Sequence, residues 1–186
     1  SAAHPGAVDR VPSGRGGWSR RIGIPGVIGV STGGAWSKGA APAHGYRGYS
    51  ATRYALYSSG HPAPGSGLTN PFGLIKSRDG GKTWQKLGLA GESDFHTLTT
   101  SPAGVLAFDT ALRSSVDGRT WRELSIPHEP RWLSTSPDGA RTFATTAAGV
   151  LSSTDHGATW TPLDKAPLLL LTAWCDRPTL VAVWPP

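Results

Sequence analysis

Apolar and polar residues alternate along this chain in runs of four to seven, and clusters of Gly, Pro, Ser and Asp separate the runs. Alternation at period two predicts half-buried β-strands, and the short spacing between turn signals predicts many of them. Residues 46–51 and 53–58 form two such runs, and residues 72–77 form a third. Residues 92–108 read as strand, Ser-Pro turn and strand, and residues 111–115 follow as another. The order then returns: residues 131–135, a Ser136-Pro137-Asp138-Gly139 turn, residues 141–145 and residues 149–153. After Trp160, residues 168–174, a turn at Asp176-Arg177-Pro178 and residues 179–184 begin the cycle once more.

A motif closes each cycle. It reads Ser77-Arg78-Asp79-Gly80-Gly81-Lys82-Thr83-Trp84, then Ser115-Val116-Asp117-Gly118-Arg119-Thr120-Trp121, then Ser153-Thr154-Asp155-His156-Gly157-Ala158-Thr159-Trp160. The serines and the aspartates both recur every 38 residues. A period of that size marks stacked supersecondary units, and with Asp-Gly turns it predicts an all-β fold, a partial β-propeller of four-stranded antiparallel blades. About three whole blades are expected, with partial ones at either side, because 186 residues at this period leave room for fewer than five. Residues 46–186 carry the blades, and the last is cut off at the C-terminus. A ring takes roughly four to eight blades, so blades from elsewhere are needed to close it.

Within the motif each residue type has a structural task. Asp accepts hydrogen bonds from the backbone of its own turn, Gly takes a positive φ at little cost, and Trp buries a large ring between neighbouring sheets. The motif is therefore expected as a clip between the third and fourth strands of a blade. The middle copy has one residue fewer between Asp117 and Trp121, which predicts altered bonding from Asp117. Each loop offers one carboxylate whereas Ca²⁺ takes roughly six to eight oxygens, so the aspartates are read as turn formers, with no metal and no cofactor expected.

Charge changes the picture at one end only. Residues 1–48 hold six Lys or Arg against one acid, and residues 49–186 hold twelve against eleven, so the net charge of +6 lies almost wholly in the first part. Residues 1–45 read as a basic leader containing Gly and Pro, either a disordered tail or a segment with a worn partial blade; Ser31-Thr32-Gly33-Gly34-Ala35-Trp36 resembles the motif without its Asp. No nucleic-acid partner is expected of the near-neutral repeats. No run reaches the ~18 apolar residues of a membrane span. Cys175 is the one cysteine, which rules out an intrachain disulfide, and no signal-peptide pattern opens the chain at Ser1.

The motif resembles the Asp-box, or BNR repeat, of sialidases and related bacterial glycosyl-hydrolase-like propellers, over residues 46–184. Ser59-Gly60-His61-Pro62, Asn70-Pro71-Phe72-Gly73-Leu74-Ile75 and Gly91-Glu92-Ser93-Asp94-Phe95-His96 are similar to segments of a secreted or lipoprotein-like group within it. The resemblance implies an extracytoplasmic location and, for a sialidase, an arginine triad, a Tyr nucleophile supported by Glu, and an Asp acid/base. Arg21-Ile22-Gly23-Ile24-Pro25 approaches the first-arginine stretch with two extra residues. Tyr54 and Tyr57 fall on a strand, where packing explains them, and a complete site would draw on further blades.

The remaining constellation is His61, Asn70, Glu92, Asp94 and His96. Asp94 and His96 are expected at the start of a blade's first strand, pointing the same way at period two. His61 and Asn70 lie in the neighbouring blade's long insertion, residues 59–71, and long loops carry function more often than short ones. Such a set could bind a sugar, bind a transition metal, do acid–base work, or simply tie a loop to the wall. The function expected is an exported, sialidase-like module that recognises a glycan or a protein, or serves as a scaffold. The alternative is an exo-sialidase-like glycoside hydrolase that this chain contains only in part.

Overall fold

The computed structural model describes the backbone of residues 8–13, 17–24, 27–32, 35–38, 43–174 and 179–185, with side chains described over 43–174 and 179–185. These residues form strands and turns without a helix, and none is part of a helix long and apolar enough to cross a membrane. The chain divides into two compact units, Ser1–Phe95 and His96–Pro186.

The first unit contains two four-stranded antiparallel sheets, each ordered as in the sequence. One consists of β1 (Val8–Ser13), β2 (Gly17–Ile24), β3 (Val27–Thr32) and β4 (Ala35–Lys38). The other consists of β5 (Gly45–Ala51), β6 (Leu56–His61), β7 (Leu74–Ser77) and β8 (Gln85–Gly88). The second unit holds β9 (Thr97–Ser101), β10 (Gly104–Phe108), β11 (Leu112–Ser115) and β12 (Arg122–Leu124) in a third sheet. A fourth follows from β13 (Pro130–Thr135), β14 (Thr142–Thr146), β15 (Gly149–Ser153) and β16 (Thr161–Pro162), and then a hairpin of β17 (Leu171–Trp174) and β18 (Leu180–Val183).

There are thus four four-stranded sheets where three whole blades were expected. The addition is residues 8–38, read from sequence as basic leader or worn partial blade and drawn here as β1–β4. Gly33 and Gly34 of the worn motif, Pro25 of the arginine stretch, Cys175 and the Asp176–Pro178 turn lie outside the described residues. The architecture is that of propeller blades, and among the described residues no sheet closes on itself.

In the second unit the two full sheets pack face to face. Leu106, Phe108 and Leu112 from β10 and β11 meet Leu133, Ala144 and Leu151, with Leu124, Ile126 and Trp160 half-buried around them. The opposite face of the second sheet gives Phe143 and Val150, which pack with Leu169 against Trp174, Leu180 and Ala182. The rings of Phe143 and Trp174 stack at 5.7 Å. Successive residues Phe143 and Ala144 therefore serve opposite faces, and all five residues of β14 are buried.

First strands of successive sheets meet through hydroxyls. Leu133 N–H donates to Thr97 Oγ1 at 2.9 Å and Thr135 N–H to Thr99 Oγ1 at 3.0 Å, while Trp132 Nε1 donates to Thr172 O at 2.9 Å. An edge backbone group without a strand neighbour must find another partner, and the Thr-rich sequence of β9 supplies it.

The three repeated motifs each join a third strand to a fourth. In the first, Ser77 Oγ donates to Asp79 Oδ1 at 2.8 Å and accepts from Gly81 N–H at 2.8 Å, while Asp79 accepts from the N–H and hydroxyl of Thr83 at 2.9 and 2.6 Å. The third repeats these bonds with Ser153, Gly157, Asp155 and Thr159 at the same distances. The shorter middle loop differs as its spacing predicts: Asp117 Oδ1 accepts from the N–H groups of Arg119 and Thr120 at 2.7 and 2.8 Å, and Gly118 N–H bonds Ser115 Oγ at 2.7 Å. Donors converging on the ionised form hold all three carboxyls below the ordinary aspartate range, the Thr159 hydroxyl and N–H taking Asp155 to about 2.

Gly157 shows why this loop needs glycine: its φ is +85°, and a Cβ there would stand 2.9 Å from Leu106 Cδ1 in the neighbouring sheet. The closing tryptophans Trp84, Trp121 and Trp160 are half-buried, and Trp160 packs against the core cluster between the two full sheets of the second unit.

Leu106→Ala, at a fully buried position, is expected to cost about 2–5 kcal/mol, whereas Trp160→Ala should cost less than the ~3–5 kcal/mol of a fully buried tryptophan. Urea denaturation of the two variants measures the order, and a larger loss at Trp160 would contradict it.

Asp155 has a folded pKa below its unfolded value of 3.8, so its contribution is complete above 3.8 and disappears as pH falls toward about 2. Asp155→Asn should therefore lower the urea midpoint at neutral pH, and the gap to the native chain should narrow through that acid window. A gap that stays constant from neutral pH to about pH 2 would show that the carboxylate charge does not stabilise the turn.

Candidate functional site

The second sheet of the first unit departs from its repeats at one connection. Residues 147–148 join β14 to β15 and residues 109–111 join β10 to β11, but residues 62–73 join β6 to β7. His61 ends β6 on one side of this insertion and Asn70 lies near its other end, where His61 Nδ1 is 2.7 Å from Asn70 Oδ1.

A second irregularity lies in β5. Its register to β6 slips between Tyr46 and Tyr49, leaving Arg47 and Gly48 as a bulge. A bulge frees backbone groups and re-aims side chains, and here Gly48 N–H turns to Phe95 O at 2.9 Å while Gly48 O accepts from Ser58 Oγ at 2.8 Å. Phe95 is fully buried, and its own N–H donates to Ser59 Oγ at 3.0 Å. Pinned on both sides, Phe95 fixes Asp94 beside the bulge.

Asp94 Oδ2 then receives two donors, His61 Nε2 at 2.9 Å and Arg47 Nε at 3.3 Å. A continuous polar chain runs Asn70–His61–Asp94–Arg47. It is open to solvent on either side of Asp94, with side-chain exposures of 42% at His61 and 46% at Arg47, while Asp94 between them is at 19%. Both His61 nitrogens face oxygens, and turning the Asn70 amide lets a neutral ring with its proton toward Asp94 satisfy every contact.

Of the five residues picked out from sequence, the structure brings together His61, Asn70 and Asp94. Glu92 stands exposed on the turn, its N–H bonded to Leu89 O at 3.0 Å. His96 belongs to the second unit, where its N–H donates to Phe108 O at 2.9 Å. The period-two argument for Asp94 and His96 is corrected, because residues 93–96 are not strand and β9 begins at Thr97. Arg47 was missed, since one cation in an alternating run carries no sign of the bulge that turns it toward Asp94.

Chemically the chain offers hydrogen-bond donors and acceptors at a solvent edge around a single carboxylate. No group of three or more His, Cys, Asp or Glu side chains able to hold a metal ion occurs among the described residues. The aspartates of the repeated turns spend their oxygens on their own loops.

No protein-family model matches the chain, and neither does any curated protein sequence. Solved structures do. Hydrazine synthase of Kuenenia stuttgartiensis is similar over 82% of this chain and 47% of its own, with a TM-score of 0.54 and 13% identity. An ancestral GH74 enzyme is similar over 87% of this chain and 25% of its own, with a TM-score of 0.53 and 13% identity. Dihydro-heme d1 dehydrogenase NirN, solved in complex with DHE, is similar over 91% of this chain and 39% of its own, with a TM-score of 0.51 and 15% identity. The chain therefore spans less than half the length of each of these structures, and at these identities the likeness establishes the β-propeller fold.

Proposed function

We propose that this chain is a sialidase-like Asp-box propeller module, exported from the cell, that recognises a glycan through the solvent edge of the Asn70–His61–Asp94–Arg47 chain. The observation that carries the reading is that chain of contacts, assembled by a β-bulge and by an insertion far longer than the matching connections of the second unit's sheets. A planar guanidinium held at Nε by a carboxylate keeps its remaining N–H groups in a fixed fork, suited to sugar hydroxyl or carboxylate oxygens. His61, held at both nitrogens, adds a rigid ring edge beside it.

Recognition is favoured over hydrolysis by the count of acids. Glycoside hydrolysis ordinarily needs two carboxyl groups flanking the bond, and this chain of contacts supplies Asp94 alone. Nothing in the group resembles the arginine triad that a sialidase site would require.

The complete 186-residue chain on a glycan array should bind a defined set of sugars. Arg47→Ala should weaken that binding about tenfold or more, near 1.4 kcal/mol. Stability should fall by no more than about 1 kcal/mol, because the ion pair is half-exposed. No bound glycan, or undiminished binding by the Arg47 variant, would overturn the reading.

A further inference from the structure

The insertion that carries Asn70 is held at its return by His61, 2.7 Å from Asn70, and by Gly91 N–H, which donates to Pro71 O at 2.7 Å, and at its start by a buried histidine. His44, at 4% exposure, accepts the Ala63 N–H at Nδ1 over 3.0 Å. From Ala63 to Leu68 the loop bonds to itself: Ser66 N–H bonds Ala63 O at 3.2 Å and Leu68 N–H bonds Ser66 Oγ at 3.5 Å. Gly65 and Gly67 stand in open space at positive φ. The chain rejoins the sheet where Phe72 N–H donates to Gly60 O at 3.1 Å.

The bond to Ala63 fixes the protonation of His44. A ring nitrogen that accepts cannot carry hydrogen, so Nδ1 is bare and the proton sits on Nε2. The ring is wedged edge-on between Tyr46 and Phe72, at centroid distances of 5.7 and 5.8 Å. Ser66 and Leu68 then line one side of a surface hollow of about 310 Å³, which His44, Lys82, Thr83 and Trp84 complete.

We propose that His44 is an acid-released latch for residues 62–68 of the insertion, closed while Nδ1 accepts from Ala63 and opened when that nitrogen takes a proton. The added N–H would point at the Ala63 N–H, so the bond is replaced by two opposed donors. Released at Ala63, the loop carries Ser66 and Leu68 away from Trp84 and removes one wall of the hollow. The inference does not depend on the glycan reading.

Surroundings set the direction. Among the described residues, the titratable groups facing His44 are the Tyr46 phenol on β5 and the Lys82 ammonium across the hollow; Phe72 and Ala63 bring none. Burial pushes Tyr46 up to about 12, so it stays neutral. Burial likewise holds His44 below its ordinary 6.5. The latch therefore contributes fully above that value and is lost as pH falls beneath it.

Amide hydrogen exchange on the whole chain, read at Ala63 and corrected for intrinsic rates, tests this. Protection at Ala63 should fall about tenfold or more between about pH 8 and about pH 5, while Leu106 keeps its own. His44→Gln, whose carbonyl oxygen accepts without titrating, should remove the pH dependence, and His44→Phe should leave Ala63 unprotected at both values. Equal protection of Ala63 in the native chain at both pH values would overturn the proposal. So would loss at Ala63 and Leu106 in parallel, which is general unfolding, or retained protection in the Phe variant. Should either variant fail to fold, the native titration alone decides.

Discussion

A four-stranded sheet that is apolar on both faces has to be covered on both, and the organisation of this chain follows from that constraint. Phe143 and Ala144 sit side by side in β14 and pack into different clusters, so one sheet is at once the floor of one interface and the roof of the next. Burial of this kind, worth roughly 25 cal/mol per Å² of apolar surface, propagates from sheet to sheet and has no natural end within a stack. Where it stops, apolar surface remains: Val181, Val183 and Trp184 on the β17–β18 side are 47%, 43% and 63% exposed. The same stacking explains the close fit of Gly157 to Leu106 and the hydroxyl bonds between first strands, both of which join one sheet to its neighbour.

The repeats were legible because their chemistry is local. Ser77, Asp79 and Thr83 satisfy one another within a seven-residue span, so the same letters give the same turn wherever they occur, and a missing residue in the middle copy gives a predictable change at Asp117. The strands on either side follow from turn positions and alternation. Residues 8–38 had no such marker, since the worn copy near Trp36 lacks the aspartate, and composition alone argued for a leader. How deeply the motif tryptophans are buried was not readable either, because it depends on the length of a fourth strand that in β16 is two residues long.

The candidate site was legible only in part, for the opposite reason. His61, Asn70 and Asp94 stood out through a long insertion and unusual residue types, yet the arrangement that joins them is set by partners far away in sequence. Asp94 is held by residues 33 and 47 positions upstream, and its position depends on Phe95, whose N–H bonds Ser59 and whose carbonyl takes Gly48. Alternation failed at Asp94 and His96 because these pins pull the segment out of extended geometry before β9 begins.

Aspartate thus has two separate uses in one chain. In the turns, the carboxylates accept from donors within a few residues of their own loop, which keeps them ionised. At Asp94 the donors are side chains, Arg47 and His61, each with polar surface left over toward solvent. A stacked blade can tolerate this second use because the insertion leaves from the sheet end and disturbs neither covered face. Phe72 and Leu74, which flank its return, are fully buried. Loop length at that end can therefore vary without cost to the core, and the division between a fixed stack and a variable end is what separates binding chemistry from architecture here.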